Sequence, residues 1–412
     1  MTSLSELKNM SGNKLLTNWL GPSILLISAI SWYYASSGFL QELLSKVLSS
    51  NESLYIRSIT YISAIFFILL GAVFSSKFHS RLRFLFIWVV SGVIVSLIPL
   101  IGVSDATSAV VITFLFIATW SFGVPASMAY FAESTSIENR ARIGGLILSF
   151  SLILGALSKF LLANKQLVIN SLYLVFLRAF SFTCFLFKQP HPNNNDKVRN
   201  SYTFSTLIKE KSLILYLIPW TLFILINELF APIASTIQSK ELVSLTTLLS
   251  TILAGVFSVV GGFFADIFGR KPTTIIGFIL LGLGYAFLGI FPLSLLSWYF
   301  YTVVDGVAWG MLFAIFLITL WGDLAAEKSS DKYYAIGLMP LIISKLLSLT
   351  MSQGIVSVIS VNAIFSFAAF FLFLAVFPLM YASETLPEKV IKRRELRKYV
   401  EKAKRIREKY QK

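Results

Sequence analysis

Long apolar runs dominate this sequence and limit what it can fold into. We count twelve runs of roughly 20 residues, and a bilayer core about 30 Å thick is crossed by roughly 20 residues of α-helix. Residues of the set AVILMFWYC form 56% of the 412 residues, and charged residues form only 13%, about half the share of a typical soluble domain. We therefore predict an all-α, multi-pass membrane protein with twelve transmembrane helices.

The predicted spans follow one another with mostly short polar interruptions. They are 16–38, 54–76, 84–103, 108–132, 143–163, 166–187, 212–233, 242–265, 273–292, 295–321, 334–356 and 360–382. The first run is too long for a signal-peptide core and lacks a small-residue cleavage site, so we interpret it as a retained helix.

A long polar stretch divides the chain between the sixth and seventh spans. We predict an N-terminal six-helix bundle at 1–187, a cytoplasmic central loop at 188–211, a C-terminal six-helix bundle at 212–383 and a basic cytoplasmic tail at 384–412. This division predicts two bundles of six helices each.

The two halves carry similar polar junctions, which indicates an internal repeat. The junctions match at offsets of 191 and 193 residues: Gly71-x-x-x-Ser75 with Gly262-x-x-x-Asp266, and Glu138-Asn-Arg140-Ala-Arg142-Ile143-Gly144 with Asp331-Lys332-Tyr-Tyr-Ala-Ile336-Gly337. Two matched junctions at nearly one offset favour duplication of a six-helix unit in parallel orientation.

Basic residues are concentrated on the side of the membrane that carries both termini. With the spans above, 28 of the 35 Lys and Arg residues lie in the terminal segments and in the loops of that side. Because cytoplasmic loops are enriched in Lys and Arg, both termini are predicted to be cytoplasmic, in a protein of the plasma membrane.

The tail after the last span combines basic charge with an apolar stripe. The stripe residues recur at spacings of three and four: Leu396, Tyr399, Ala403, Ile406 and Tyr410. This pattern predicts an amphipathic helix that lies on the anionic inner leaflet of the bilayer. A short coiled-coil contact is the alternative.

Few residues could support covalent or metal chemistry. The chain has one cysteine, Cys184, and two histidines, His79 and His191, which lie far apart in the sequence. These counts exclude a disulfide framework, a cysteine–histidine zinc site and a serine-hydrolase triad, and no Walker-type loop occurs. We therefore predict neither an enzyme nor a cofactor. We attribute the net charge of +15 to membrane sidedness rather than to nucleic-acid binding.

The junction after the eighth span carries a specific loop motif. It reads Gly262-Phe-Phe-Ala-Asp266-Ile-Phe-Gly269-Arg270-Lys271 and resembles the G-x-L-a-D-r-x-G-r-k motif of the major facilitator superfamily. In the first-half copy, Ser75 and Phe78 stand where the motif has Asp and its second Gly. Two shorter elements are loosely similar to the sugar-porter branch: Glu133-x6-Arg140 and Ser383-Glu384-Thr385.

The resemblance implies the major facilitator fold, in which twelve helices form two six-helix bundles. It also implies a charge network that closes the cytoplasmic side when the protein is open to the outside. Such a network needs opposite charges on different helices near the membrane surface, where the field is poorly screened. The candidate gate residues are Gly262, Asp266, Gly269, Arg270, Lys271, Asp323 and Glu327, with Glu133 and Arg140 in the first half. The alternative is that these charges only reflect the positive-inside distribution.

Charged residues at mid-depth mark a candidate pathway. Glu228, Asp305 and Lys345 lie in the seventh, tenth and eleventh spans, which line the central cavity in this superfamily. A charge at this depth needs a partner or an aqueous cavity. We expect Asp305 to pair with Lys345, which leaves Glu228 as the proton carrier; a purely structural ion pair is the alternative. Arg178, in the sixth span, is expected to be structural.

Polar and aromatic residues near these charges extend the candidate pathway. They are Asn227, Trp309, Trp32, Tyr33 and Trp120. An amide can hydrogen-bond a hydroxyl or carboxylate, and the rings could stack on a sugar or an aromatic solute. For Trp32 and Trp120, packing within the protein or against lipid is the alternative.

These features predict secondary-active transport of a small organic solute, a sugar or an organic acid, by alternating access. We expect coupling to protons, as a symport, and partners limited to the solute, protons and the bilayer, with the protein a monomer. A non-transporting relative that acts as a membrane sensor or scaffold is the alternative, and a membrane enzyme is a third possibility.

Overall fold

The computed structural model describes residues 18–78, 80–103, 105–162, 165–187, 202–325, 328–358 and 360–387, together with Leu396 and Val400. Within these residues, twelve helices are long and apolar enough to cross a membrane, which confirms the predicted all-α class and the number of spans. Residues 188–201 of the predicted central loop, and the predicted amphipathic tail apart from Leu396 and Val400, lie outside the described residues.

We number the long helices α1 to α12. The first half contains α1 (Leu20–Val47), α2 (Ser50–Lys77), α3 (Arg81–Leu97), α4 (Ala106–Ser134), α5 (Arg140–Leu162) and α6 (Leu167–Ala179). The second half contains α7 (Lys211–Ile237), α8 (Lys240–Phe268), α9 (Arg270–Ile290), α10 (Leu295–Phe313), α11 (Ser330–Val358) and α12 (Val361–Leu374).

Four helices continue beyond their regular α-helical part. The extensions are Ile98–Ile101 after α3, Phe180–Leu186 after α6, Ala314–Thr319 and Leu320–Ala325 after α10, and Val376–Tyr381 after α12. The extension Ala314–Thr319 is a π-helical turn, a local widening of the helix that often occurs at functional sites. We call the end of the bundle where α1 begins and α12 ends the terminal side, and the opposite end the distal side.

The first helix runs nine residues past the end predicted from the sequence. The prediction ended at residue 38 because the apolar run is broken by Gln41 and Glu42, whereas α1 ends at Val47. Leu40, Leu43 and Leu44 are buried, so an apolar stripe at helical spacing continues beyond the uniformly apolar part. The helix therefore extends beyond the uniformly apolar part of the sequence that marked its span.

Outward-facing helix surfaces are apolar. On α2, for example, Ile59, Ile62 and Phe66 are more than half exposed, at 57%, 56% and 59%. A contiguous exposed apolar stripe of this kind is typical of contact with lipid, where the backbone is satisfied within each helix. The apolar exterior is thus consistent with a membrane-spanning bundle.

The two halves meet along two pairs of helices. Within the first half, α1 packs on α4 and α5, α2 on α4, and α3 on α6; within the second half, α7 packs on α11, α8 on α10, and α9 on α10 and α12. Between the halves, α5 packs along α8, and α11 packs against α2 and α4. The interface therefore repeats one arrangement twice, as expected for two related six-helix units.

Glycines allow α5 and α8 to approach closely on the terminal side. A Cβ atom at Gly145 would lie 2.2 Å from the carbonyl oxygen of Ser258, and one at Gly262 would lie 2.3 Å from that of Ala141. The Ser258 hydroxyl donates to the Gly145 carbonyl oxygen at 2.8 Å. Gly262, predicted as a gate residue, is thus needed for close packing between the halves.

Replacing Gly145 by alanine should destabilise the protein, because the clash is with backbone atoms that cannot rotate away. We expect a loss of about 1–3 kcal/mol, typical of overpacked contacts, measured as a lower midpoint of thermal unfolding in detergent. Gly284→Ala is the control, since its Cβ would meet the Val304 side chain at an ordinary 3.4 Å. A Gly145→Ala protein as stable as the Gly284→Ala protein would contradict close approach at this position.

Candidate functional site

A buried carboxylate joins the two halves on the terminal side. Asp323, in the helical turn after α10, accepts a hydrogen bond from Arg140 Nη1 at 2.6 Å and another from Arg270 Nε at 2.9 Å. Arg140 belongs to the first half and Arg270 to the second. All three side chains are buried, so the two cations share one carboxylate that is shielded from water.

The two arginines are held in equivalent ways. Each is the first residue of its helix, Arg140 of α5 and Arg270 of α9. Each also donates to a carbonyl oxygen near the end of the preceding helix, Arg140 Nη2 to Ala132 and Arg270 Nη1 to Ala265. A cation at a helix C-terminus satisfies unpaired carbonyl groups and is favoured by the helix dipole.

The carboxylate of Asp266 forms a second link between the halves. Asp266, on α8, accepts hydrogen bonds from the backbone N–H of Arg142 at 3.0 Å and from Arg142 Nε at 2.9 Å, both on α5. It also pairs with Arg270 at 2.9 Å. An anion at the start of α5 interacts favourably with the helix dipole and with N–H groups that lack intrahelical partners.

At the other repeat position, the link between the halves has its carboxylate on α11 rather than on the helix that carries the loop motif. Ser75, on α2, occupies the repeat position of Asp266, and its hydroxyl donates to Asp331 Oδ1 at 2.8 Å. Asp331, at the start of α11, also pairs with Arg81, which in turn pairs with Glu133. The inter-half contact therefore persists although the motif has lost its aspartate.

Lys271 and Glu384 tie α9 to the end of the last span. Glu384 accepts the backbone N–H groups of Arg270 at 2.9 Å and Lys271 at 3.0 Å, and Lys271 Nζ donates to the carbonyl oxygens of Met380 and Ala382. The Gly269 that precedes them has φ +112°, which a residue with a side chain rarely adopts. The hydrogen bonds of Lys271, from its backbone N–H and from its ammonium group, therefore all lie within the second half.

The remaining predicted gate residue, Glu327, lies outside the described residues.

The larger of two cavities in the described part of the chain lies between the halves and extends to the junction of α1 and α2 on the distal side. Its volume is about 870 Å³, and its charged lining residues are Arg57, Glu228 and Lys345. Lys345 Nζ donates to the hydroxyl of Tyr33, on α1, at 3.0 Å, and Glu228 interacts electrostatically with the Lys345 ammonium group. The cavity therefore holds a carboxylate and an ammonium group that attract each other electrostatically.

A smaller cavity of about 310 Å³ holds Asp305 among polar and aromatic groups that belong mostly to the second half, with Tyr34 and Leu152 of the first half also in its lining. The Tyr301 hydroxyl donates to Asp305 Oδ1 at 3.1 Å. Nearby, Asn227 Oδ1 accepts hydrogen bonds from the Tyr285 hydroxyl at 3.1 Å and from Trp309 Nε1 at 3.3 Å. The side chains of Asn227, Asp305 and Trp309, all predicted pathway residues, are therefore brought into one cavity.

The expected pairing of Asp305 with Lys345 is wrong. Lys345 contacts Tyr33 across the interface between the halves, whereas Asp305 is bonded by Tyr301 on its own helix. The prediction placed both residues at similar depth but could not assign the direction in which each side chain leaves its helix. Glu228, not Asp305, shares a cavity with Lys345.

The remaining aromatic candidates differ in their placement. Tyr33 lines the larger cavity and stacks on Trp120, with ring centroids 4.2 Å apart. Trp120 therefore packs against a cavity residue and is not itself part of the lining. Trp32 is 1% exposed, donates to Ser96 and stacks on Phe116. Trp32 therefore packs within the first half, which was the alternative interpretation of this residue.

Arg178 lies in the core of the first half. Its guanidinium group is fully buried and lies 3.9 Å from the centroid of the Trp88 ring, over which it stacks. Its Nη2 donates to the Trp88 carbonyl oxygen at 3.2 Å. A cation–π contact of this kind stabilises the buried charge, in agreement with the structural role expected for Arg178.

Loss of the Asp323 carboxylate should open the terminal side. In an Asp323→Asn protein, two buried guanidinium groups lose their shared counter-charge, and removing one partner of a buried pair costs about 3–5 kcal/mol. A reporter cysteine at Thr319, which is fully buried, should then react with a water-soluble maleimide at least about tenfold faster, in a Cys184→Ser background.

The control is an ion pair outside this network. Glu42 and Lys46 form an exposed pair at 2.6 Å, and such pairs contribute about 0–1 kcal/mol. Glu42→Gln should leave the labelling of the Thr319 reporter unchanged. Equal labelling rates in the wild-type and Asp323→Asn proteins would show that Asp323 does not hold the terminal side closed.

Comparison with known proteins identifies the fold. Residues 211–409 match the sequence profile of the Major Facilitator Superfamily. The structure is similar to that of the proton:xylose symporter XylE bound to 6-bromo-6-deoxy-D-glucose, with 15% identity and a TM-score of 0.67 over 91% of this chain and 97% of that chain. It is also similar to the human organic anion transporter MFSD10 (TETRAN), with 13% identity and a TM-score of 0.66 over 89% and 99%.

A comparison with curated protein sequences finds no match. The profile match covers the second half, and the structural similarity covers almost the whole of both chains. The chain has the major facilitator fold, and the resemblance predicted from its loop motif is confirmed.

Proposed function

We propose that this chain, which has the major facilitator fold, is a secondary-active transporter that moves a small organic solute by alternating access. The observation that carries the proposal is the combination of a polar cavity between the halves with a charge network that closes only one end of it. A cavity of about 870 Å³ is large enough for a small organic molecule.

The chemistry of the charge network suits a reversible closure. Asp266 and Asp323, both of the second half, bind groups of the first half, so the contacts must break when the halves separate on the terminal side. Buried ion pairs are close to neutral in net free energy, because desolvation offsets attraction. Solute binding that differs by a few kcal/mol between two states can therefore shift the equilibrium.

Asp305 is the better proton carrier of the two carboxylates that line the cavities. Glu228 has the ammonium group of Lys345 nearby and can stay ionised, whereas the described residues that bond Asp305 are uncharged. A carboxylate without a counter-charge in a low-dielectric site is costly in its ionised form and is stabilised by a proton. This assignment reverses the one predicted from the sequence.

The proposed solute is a small organic molecule. A sugar and an organic acid are the two classes predicted from the sequence, and they are also the classes named for the two similar structures. Protons and the lipid bilayer are the other proposed partners, with the protein a monomer and no nucleic acid, cofactor or covalent chemistry involved. The terminal side is proposed to be cytoplasmic, in the plasma membrane, as the distribution of Lys and Arg indicates.

A sensor or scaffold without transport is the second candidate function. The loss of the motif aspartate at Ser75 motivated it, because a broken gate would not need to move. Ser75, however, still binds Asp331 across the halves, so the gate contact is retained in altered form. This observation favours transport over the sensor.

Proton coupling distinguishes the two carboxylates. In proteoliposomes, Asp305→Asn should abolish solute accumulation driven by a pH gradient, because the neutral amide cannot gain and lose a proton. Glu228→Gln should keep gradient-driven accumulation, with a weaker apparent affinity for solute because Lys345 loses its partner. The measurement is initial uptake across a solute panel with and without the gradient.

The reverse pattern would contradict the assignment. If Glu228→Gln abolished gradient-driven uptake while Asp305→Asn retained it, the proton carrier would be Glu228. If the wild-type protein took up no solute of the panel under any gradient, yet solutes changed its tryptophan fluorescence, the sensor would replace the transporter.

A further inference from the structure

We infer that the solute carries a positively charged amino group, and that this group binds in the smaller cavity against Asp305. The inference rests on the proposed transport function and narrows the class of solute. It is compatible with an amine, an amino sugar or an amino acid, which all present an alkylammonium group.

The charge of the smaller cavity favours a cation. Asp305 is the only charged group among the described residues that line it, and no Lys, Arg or His belongs to that lining. Asp305 as a residue is only 8% exposed, so water screens its charge poorly. A solute ammonium group would supply the counter-charge that the protein does not, whereas a solute carboxylate would be repelled.

The aromatic walls favour the same ligand group. Six aromatic side chains line this cavity: Tyr34, Phe230, Trp298, Tyr301, Trp309 and Phe313. Several of them contact one another: Trp309 packs edge-to-face on Phe313 at 4.5 Å between centroids, and Phe230 packs on Tyr301 at 5.3 Å in a tilted pair. Aromatic rings around a site attract alkylammonium groups through the negative face of the ring, and the attraction grows when water is excluded.

Hydrogen bonds hold the site in shape before a ligand arrives. Tyr301 fixes one oxygen of Asp305, while Tyr285 and Trp309 both donate to the amide oxygen of Asn227. Asn227 in turn donates to the Phe223 carbonyl oxygen at 2.7 Å. The carboxylate and the rings are therefore positioned by neighbouring helices rather than by a loop, which lowers the cost of binding.

A proton and an amine compete for the same carboxylate. The titratable groups that face Asp305 are Tyr301 on α10, Tyr285 on α9 and Tyr34 on α1, while α7 and α8 present Asn227 and Ser250. None of these groups is a cation that could compensate Asp305. Binding of a solute amino group would therefore displace the proton from Asp305, so that solute and proton cross the membrane in opposite directions. The sequence, in contrast, predicts symport.

The larger cavity provides a built-in comparison. Its carboxylate, Glu228, lies near Lys345, and Arg57 also contributes to its wall. With two cations and one anion among its described lining residues, this cavity is a poor site for an ammonium group. The cation preference should therefore depend on Asp305 and not on Glu228.

Matched pairs of ligands isolate the effect of charge. Binding to the full chain in lipid nanodiscs is measured by tryptophan fluorescence and thermal unfolding for choline and 3,3-dimethylbutan-1-ol, benzylamine and benzyl alcohol, and glucosamine and glucose. We expect at least one cation to bind at least about tenfold more tightly than its neutral partner, which corresponds to one buried charge interaction. Choline binding should weaken as the pH falls, because choline keeps its charge and protons compete for Asp305.

Variants locate the preference. Asp305→Asn should remove the preference for the cation, Asp305→Glu should retain it because the charge is kept, and Glu228→Gln should leave it intact. Equal binding of both members of every pair, no binding of any cation, or a preference that survives Asp305→Asn would overturn the inference. If Asp305→Asn does not fold, the pH dependence of choline binding provides the test. We expect it in the wild-type protein and in Asp305→Glu, and choline binding to the wild-type protein that does not change with pH would overturn the inference.

The same experiments separate this inference from the proposed function. Uptake of a neutral or acidic solute into proteoliposomes, without any binding of cations, would support transport and overturn the amino-group site. Cation binding at Asp305 without uptake of any solute would support the site and overturn transport.

Discussion

The carboxylate of Asp323 receives guanidinium groups from both halves of the protein, and in the proposed transport cycle closure of the terminal side depends on this shared contact. Arg140 and Arg270 each begin a helix and each bind carbonyl groups at the end of the helix before it, so neither can move without its helix. Separation of the halves must therefore expose one or both cations to water. The cavity between the halves is accessible from the distal side while this contact holds.

The internal repeat explains why a motif that has lost its aspartate can still close the interface. At one repeat position Asp266, on α8, binds the start of α5, and at the other Ser75, on α2, binds Asp331 at the start of α11. At the second position the carboxylate belongs to the start of α11 rather than to the loop motif, and Arg81 compensates its charge. An inter-half hydrogen bond is preserved at both positions, so the near two-fold arrangement of contacts is retained.

Sequence reasoning succeeded where one helix alone decides the outcome and failed where partners come from several helices. The twelve spans and the buried depth of Asp305 follow from apolar runs, because a bilayer requires them in each helix separately. The partner of Lys345 depends on the rotation of α11 and on the position of α1, and the sequence contains no direct record of either. For the same reason Trp32 looked like a cavity residue but packs on Phe116. Arg142, Asp331 and Glu384 were not among the predicted gate residues, although the first two stand in the repeated junctions and the third in the weak sugar-porter element.

Distances between spin labels at both ends of the bundle test the central claim that one end opens as the other closes. Labels at Asn139 and Ile267 report on the terminal side, and labels at Val168 and Leu245 report on the distal side, all at exposed positions. Compared with the wild-type protein, Asp323→Asn should lengthen the first distance and shorten the second, measured by pulsed electron paramagnetic resonance in nanodiscs. A terminal distance that stays the same, or that lengthens while the distal distance is unchanged, would contradict alternating access controlled by Asp323.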